Sequence, residues 1–554
     1  MNTPNWIDAQ ASGADPTGAR DSTAAISAAL AKAAACVTTP GAPSVVYLAS
    51  GTYTTTAPLV IPPGVALLGD TANEMSSYSD IATGSIIQPA ATFAQGTGPA
   101  NGVIVIPGQA AGSRVVSEEH KITGIFVDGS RLPAGNTADG ITITGNARRV
   151  HLARIMIAHT NGNGFSAVAD GHGNVPDALR LQRVMTRWCG LAGFLIFRVS
   201  DCTFIDCLAE NCTGNGWDIT NLSNCTLIGC RSEHNNIGYA VSNTNEGTGS
   251  GGGKLVGCST DRNQQHGIAI TTRNSTGVPV ILSGCAFRRD GRNKDAGGGG
   301  FAGIDVSGYP GVVQVSGCTV FPGVNDDGSG TNSPQTGLNV SSTAALKATV
   351  IVSGSYIQAA GTAIADDGLG TVLLDRSTAL ATGPTSAPSI IGPVSALQTD
   401  SRRNFAAERV IGTYTIQPGD VIAGTAYEFW GAGAADGTGT PALQIRLRIG
   451  GIAGPVLAAT GAVTCRTASS MAFGWRGRIA FTAAGVSGAT IDAVSDITET
   501  FASAGPALHS GVAQGAAAGD TTQPVTVVVT AQWSKASTSN AVRTTSGTIR
   551  RTSH

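Results

Sequence analysis

The 554-residue sequence predicts an all-β chain. It is a right-handed, single-stranded parallel β-helix with an N-terminal capping helix, followed by a small antiparallel β-sandwich. Three observations carry this. Between about residues 120 and 360 one phrase returns roughly every 22 to 35 residues: a β-branched strand, a small or apolar residue, a polar turn, then Gly with an apolar or aromatic residue. Gly is abundant, at 75 residues, while helix formers thin out after the first forty, which suits short strands and tight turns. From about residue 404 the repeat gives way to strands alternating apolar and polar residues. The length also exceeds one compact core, so at least two units are expected.

In chain order, Asp21, Ser22 or Thr23 can cap an Ala-rich helix ending near Ala35. Short strands follow at 45–48, 51–53 and 59–69. The cap and first coils occupy 1–70, the β-helix 71–385 and a Ser/Thr/Ala/Pro-rich linker 386–403. The sandwich spans 404–534, and a polar, basic, partly extended tail 535–554. The clearest repeats are Cys202–Cys207 leading to Gly216-Trp217, Cys225–Cys230 leading to Gly238-Tyr239, and Lys254–Cys258 leading to Gly267-Ile268. Weaker copies centre on Ile125, Met156, Met185, Cys285, Cys318 and Ser355. One such unit cannot bury its apolar face alone, but a stack can. Two inward columns are therefore expected: Met156, Met185, Cys207, Cys230, Cys258, Cys285, Cys318, and Phe165, Phe194, Trp217, Tyr239. The eleven cysteines mostly recur once per repeat, so they read as free buried thiols rather than a disulfide framework.

Charge excludes some functions. A formal net charge of −2 and only 13% charged residues, with no Lys/Arg block before the C-terminal tail, argue against binding dominated by nucleic-acid phosphate. No apolar run reaches membrane-spanning length. Met1–Asp8 lacks a basic and an apolar signal region, so either export does not use the usual secretory route or a signal has already been removed.

An outward stripe is expected three residues past each inward position: Asp128, His159, Trp188, Glu210, Glu233, Asp261, Arg288, Phe321. Equivalent residues in stacked coils lie about 4.8 Å apart. Glycoside hydrolysis needs two carboxylates, about 5 Å apart for retention or roughly 6.5–9.5 Å for inversion. Glu210 and Glu233 suit the first, Glu210 and Asp261 the upper end of the second. Stacked like charges also raise one pKa, as a general acid requires. Glu210, Glu233 and Asp261 are thus the catalytic candidates. Trp188 can stack on a sugar ring, with His159, Asp128 and Arg288 as further sugar contacts. The bland alternative is a row of solvated turn residues. A second candidate is the inserted loop 170–177, whose Asp170, His172 and Asp177 can form a base, an ion site, a mobile lip over a groove, or merely a turn. Cys202/Cys207 and Cys225/Cys230 have the wrong spacing for zinc. No metal or cofactor is expected, save a Ca²⁺ ion if the acids and Arg288 run an elimination.

Gly13, Ala14, Asp15, Gly18, Asp21, Thr23, Ala25 and Ile26 resemble the opening signature of the pectate-lyase-like superfamily, found in phage tailspikes and related β-helix enzymes. Val46-Tyr47, Gly51-Thr52-Tyr53 and Val65 to Leu68-Gly69 match too, with Ala49-Ser50 where two prolines are common. Gly450-Gly451 after Arg446-Leu447-Arg448 resembles the small jelly-roll domain that ends many tail fibres. The resemblance implies a homotrimer in the virion, assembled with other phage tail proteins and acting extracellularly on a bacterial surface polysaccharide without entering a membrane. The sandwich would then serve trimerisation or carbohydrate binding. Tailspikes often carry an N-terminal anchoring domain, whereas here the capping helix starts almost at once, so attachment is expected through another region or an adaptor. The expected function is a tailspike that recognises and hydrolyses its glycan. A non-catalytic adhesin and a bacterial polysaccharide lyase or other carbohydrate-active enzyme of the same fold are the alternatives.

Overall fold

The structure, a computed structural model, describes the chain except residues 1–5, 38–43, 71–83, 109–116, 171–173, 244–251, 273–276, 293–299, 323–332, 344, 367–370, 376–377, 383–388, 392–400, 404, 417–425, 482–489, 501–506, 518–524 and 553–554. The chain divides into two units: residues 1–372 with 381–386, and residues 373–380 with 387–554.

The first unit opens with the expected helix, Thr23–Cys36. Ser22 is its N-cap residue, but the Ser22 hydroxyl accepts the Asp15 amide instead of capping the helix. Asp21 accepts the amide and hydroxyl of Thr23. Parallel coils follow, and each coil crosses three faces. Residues 151–153 pair with 121–123 and 180–182 on the first face, and 156–158 with 126–128 and 185–187 on the second. Residues 165–168 pair with 141–144 and 194–197 on the third. The first two faces form one 25-stranded sheet, and the third an 11-stranded sheet.

Two backbone corners bend each coil. Between the first and second faces stand Gly124, Arg154, Arg183, Asp206, Gly229, Gly257, Gly284, Gly317 and Gly354, with φ from +51° to +71°. After the second face stand His159, Trp188, Asn211, His234, Arg262 and Arg289, with φ from +48° to +57°. This left-handed conformation turns the chain sharply without a long loop and aims the side chain outward. Inside the second corner, buried amides form a ladder. Asn235 Oδ1 accepts the Cys212 amide at 2.8 Å, Asn263 Oδ1 accepts the Asn235 amide at 2.9 Å, and Asp290 Oδ1 accepts the Asn263 amide at 3.1 Å.

The aromatic column stacks in the expected register: Phe165, Phe194, Trp217 and Tyr239 lie opposite one another and are fully buried. The Phe194 and Trp217 rings are 3.9 Å apart and nearly parallel. Their neighbours satisfy the polar tips: Trp217 Nε1 donates to Arg231 O at 3.2 Å, and the Tyr239 hydroxyl to Cys230 O at 2.7 Å. Just before or at the start of each of these strands runs a glycine column: Gly140, Gly164, Gly193, Gly216, Gly238, Gly267, Gly303 and Gly337. There the backbone presses on the inward side chains of the second face. A Cβ on Gly164 would sit 2.6 Å from Thr186 Cγ2, and one on Gly216 would overlap Ser232 Oγ and meet Asn235 Nδ2 at 2.8 Å. The Gly-aromatic phrase of the repeat records this close approach. Gly216→Ala is expected to lower stability by about 1–3 kcal/mol through overpacking, read as a lower midpoint in thermal or urea unfolding.

All eleven cysteines are free, and all but Cys36 are buried. Cys230, Cys258, Cys285 and Cys318 donate S–H to carbonyls one coil back, at 3.3–3.5 Å. The inward cysteine column needs one correction. Met156 and Met185 lie opposite Leu208 and Arg231, not Cys207 and Cys230. Both methionines point outward, where Met156 packs with Phe126 and Ala158. In these coils the second face is apolar on both sides, so alternation does not tell inside from outside.

The second unit contains the expected antiparallel sandwich. One sheet holds Ser401–Arg403, Ala541–Thr552, Ala426–Gly437, Ala468–Phe481, Thr490–Glu499 and Ala507–Ala517. The other holds Arg409–Ile416, Val525–Trp533, Ala442–Ile449, Val456–Ala459 and Val463–Thr464. Tyr414, Phe429, Trp475 and Trp533 fill the core. Two boundaries change. The expected extended tail is largely strand Ala541–Thr552, which pairs on both sides. The expected linker contributes strands Ser389–Ile391 and Ser401–Arg403. Among the described residues, no helix is long and apolar enough to cross a membrane.

Candidate functional site on the second face

On the outer side of the second face the register runs Asp128, Ala158, Arg187, Glu210, Glu233, Asp261, Arg288, Phe321. The three acids therefore occupy successive coils on one wall, as the spacing predicts. His159 and Trp188 do not belong to that column. Each sits one residue later, at the left-handed corner, and Ala158 and Arg187 take their places.

The corner gathers an aromatic platform instead. His159 and Trp188 stack at 5.1 Å with planes 16° apart. His159 Nδ1 lies 3.4 Å from Asp128 Oδ1, and Asp128 Oδ2 accepts Gln88 Nε2 at 2.8 Å. The Arg187 guanidinium lies 5.4 Å from the Trp188 ring centroid and donates from Nε to Glu210 Oε2 at 2.6 Å. Trp188 is 37% exposed. Asp128, His159, Trp188, Arg187 and Glu210 thus form one connected edge on which Trp188 stays partly exposed.

The acids differ in use. Glu210 pairs with Arg187 and accepts Asn211 Nδ2 at 3.2 Å. Glu233 pairs with Arg231 at 3.2 Å. Both remain partly open. Asp261 is 3% exposed. It takes a two-pronged bond from Arg289 at 2.7 and 2.6 Å and lies 3.3 Å from Arg262 and 3.1 Å from Arg288. Covered by three guanidiniums, Asp261 holds the wall together and does not present a carboxylate to a ligand. Arg288, with a side chain 44% exposed, stays at the rim. The arginines answer the repulsion between stacked acids; of them the sequence placed only Arg288 in the stripe, and Arg187, Arg231, Arg262 and Arg289 were missed.

The inserted loop lies elsewhere, between the third and first faces. Asp170 accepts the Asn174 amide at 3.0 Å and Asn174 Nδ2 at 2.7 Å. Asp177 pairs with Arg148 at 3.0 Å. Asp170 ties its own loop, Asp177 ties the loop to Arg148 of the preceding coil, and His172 lies outside the described residues. Two carboxylates on the outer side of the third face were also missed: burial pushes Asp139 and Asp218 above the usual carboxylate range. The alternation Trp217-Asp218-Ile219 already turns Asp218 outward. Among the described residues no group of three or more His, Cys, Asp or Glu can hold a metal ion.

Comparison with known proteins fits this architecture. Residues 6–232 match the family described as rhamnogalacturonase A/epimerase, pectate lyase-like. This segment carries Asp128, His159, Arg187, Trp188 and Glu210, and ends one residue before Glu233. Among solved structures, the gp42 tailspike of Acinetobacter phage vb_AbaP_AS12 is 14% identical, with 94% of this chain and 82% of that one covered at a TM-score of 0.50. The tailspike gp49 of Acinetobacter baumannii bacteriophage Fri1, a capsular polysaccharide depolymerase, is 12% identical over 98% and 89%, at 0.39. The A-module of the Azotobacter vinelandii mannuronan C-5 epimerase AlgE4 is 14% identical over 67% and 97%, at 0.43. No curated protein matches the chain. At 14% identity the likeness to the gp42 tailspike speaks for the β-helix fold alone.

Proposed function

We propose that the protein is a phage tailspike that grips a bacterial surface polysaccharide along the second face and hydrolyses it with Glu210 and Glu233. The observation that carries this is the pairing of Glu210 with Glu233 in adjacent coils, beside the exposed Trp188–His159 platform. One strand spacing, about 4.8 Å, suits a retaining pair at about 5 Å: one carboxyl protonates the leaving oxygen while the other attacks the anomeric carbon. Trp188 supplies the apolar face for a sugar ring, and Arg187 and Asn211 hold Glu210 in place. The protein acts outside the host cell, as a virion component and a homotrimer, without cofactor. The second reading is an adhesin without turnover, favoured by the arginine partners of both glutamates.

The experiment incubates the full chain with purified capsular polysaccharides and lipopolysaccharide O-chains. New reducing ends establish the hydrolase, unsaturated ends a lyase, and retention without new ends the adhesin. Trp188→Ala should weaken glycan binding about tenfold, near 1.4 kcal/mol, in affinity electrophoresis under either the hydrolase or the adhesin reading. Unchanged affinity removes the platform from the site.

A further inference from the structure

The first face carries a charge pattern that the second-face site does not use. Its outer positions in three successive coils are Lys121 with Thr123, His151 with Ala153, and Arg180 with Gln182. The corner bordering them bears Arg154 and Arg183 in adjacent coils. Lys121, Arg154, Arg180 and Arg183 are exposed. Five of these neighbouring positions are therefore cations or imidazole, and none is a carboxylate. The next coil ends the pattern with Thr203 and Asp206. At the other border of the face, Arg148 and Arg149 are tied to Asp177, Glu118 and Glu119.

The two corner arginines stand where six of the nine equivalent residues are glycine. Arg154 has φ +52° and Arg183 φ +54°, a region where a side chain costs conformational energy and Gly does not. Arg is not among the residues that tolerate it best. Stacking like charges at strand spacing adds repulsion. The fold would be easier to make with Gly at both corners, as the later coils are. The charge is kept against both costs.

We propose that this basic face binds an acidic polysaccharide, the anionic groups of an extended glycan lying across Lys121, Arg180 and the Arg154–Arg183 corner. The inference rests on the glycan-binding reading above and narrows it to a charged polymer. A flat ladder of repeated cations suits an extended chain with regularly spaced anions. No Phe, Tyr or Trp sits among the outer first-face positions of these three coils to stack a nucleic-acid base, and a chain of net charge −2 lacks the overall basic balance of a duplex binder. The corner also opens onto the second face, where Arg187 and Trp188 lie four and five residues past Arg183, so one glycan can run from this face onto the platform.

The test uses the full chain and the variant R154G/R183G. Gly is the fold's own residue at that corner, so the variant should keep or raise its melting temperature. Affinity electrophoresis is run in alginate, hyaluronan, teichoic acid and neutral dextran over a salt series. Expected for the wild type is retardation by at least one acidic polymer, weakening steeply with salt, and none by dextran; the variant should lose tenfold or more in affinity. The idea is overturned if no acidic polymer retards the wild type, if duplex DNA binds as well as the best glycan, or if R154G/R183G binds like the wild type. It is also overturned if the variant's oligomer mass falls in light scattering, which would make the face a subunit contact. Binding or cleavage of a surface glycan that is indifferent to R154G/R183G would sink this inference and leave the proposed function standing.

Discussion

Glu210→Gln is expected to lower reducing-end release about 10²–10⁴-fold, the range typical of losing a positioned proton-transfer group, while glycan binding stays within about twofold. The substitution is nearly isosteric, and its amide oxygen can still accept Arg187 Nε where Glu210 Oε2 now does at 2.6 Å. The ladder from Arg187 through Glu210 to Glu233 consists of backbone bonds and is untouched. A folded, binding, inactive protein is the outcome that identifies chemistry. Glu233→Gln should behave alike, because the mechanism needs both carboxyls, and the double variant should be scarcely worse than either single one, as expected of groups that act as a unit. Measurement is by reducing-sugar release and affinity electrophoresis on the same preparations. Full activity in both single variants would move the chemistry off this wall, with Asp218 on the third face the next carboxyl to change.

How far the site could be read in advance depended on the corners. Glu210, Glu233 and Asp261 come from coils in which a cysteine marks the inward side three residues earlier, so counting outward from it lands on the right face. Met156 and Met185 give no such mark. Phe126, Met156, Met185 and Leu208 make the outer side as apolar as the inner one, so a slip of one residue put His159 and Trp188 in the column instead of at the turn beside it. The same slip hid Arg187. Arg288 was legible in the stripe beside Asp261, but the Arg289 guanidinium was harder to foresee, since it comes from the corner of the next coil, 28 residues on, and only the register brings it to Asp261. The glycine column was visible as a repeated Gly-aromatic phrase, but its cause, contact with residues such as Thr186 and Ser232 from another face, is a tertiary fact. Strand Ala541–Thr552 read as tail because few of its residues are aliphatic. Backbone pairing on both of its edges, not side-chain alternation, makes it a strand.

Asp290→Asn is expected to remove a pH dependence that the wild type shows between about pH 4 and pH 7. Asp290 ends the inner amide ladder and is fully enclosed. Burial pushes its carboxyl up to about 7 from an ordinary 3.8, against the lowering effect of its bonds to Thr260 and Asn263. Between those values the unfolded chain has released the proton while the folded chain keeps it. Stability rises with pH only where the unfolded state binds more protons, so here it falls as pH climbs from about 4, and levels off above about 7. At about 1.4 kcal/mol per pH unit, three units set a ceiling of about 4 kcal/mol on the loss. The preceding rungs, Asn235 and Asn263, already show that an amide fits the ladder. In the variant, Oδ1 can go on accepting the Asn263 amide and Nδ2 groups, now at 3.1 and 2.8 Å. The new NH₂ can donate to the Thr260 hydroxyl, which would turn from donor to acceptor. Urea unfolding of both proteins from pH 4.5 to 8.5 isolates the effect, because every other titrating group cancels in the difference. The variant should gain on the wild type as pH rises, most steeply below pH 7. Parallel profiles would mean that Asp290 ionises in the fold as readily as in water, and that the ladder ends on a carboxylate rather than on a carboxylic acid.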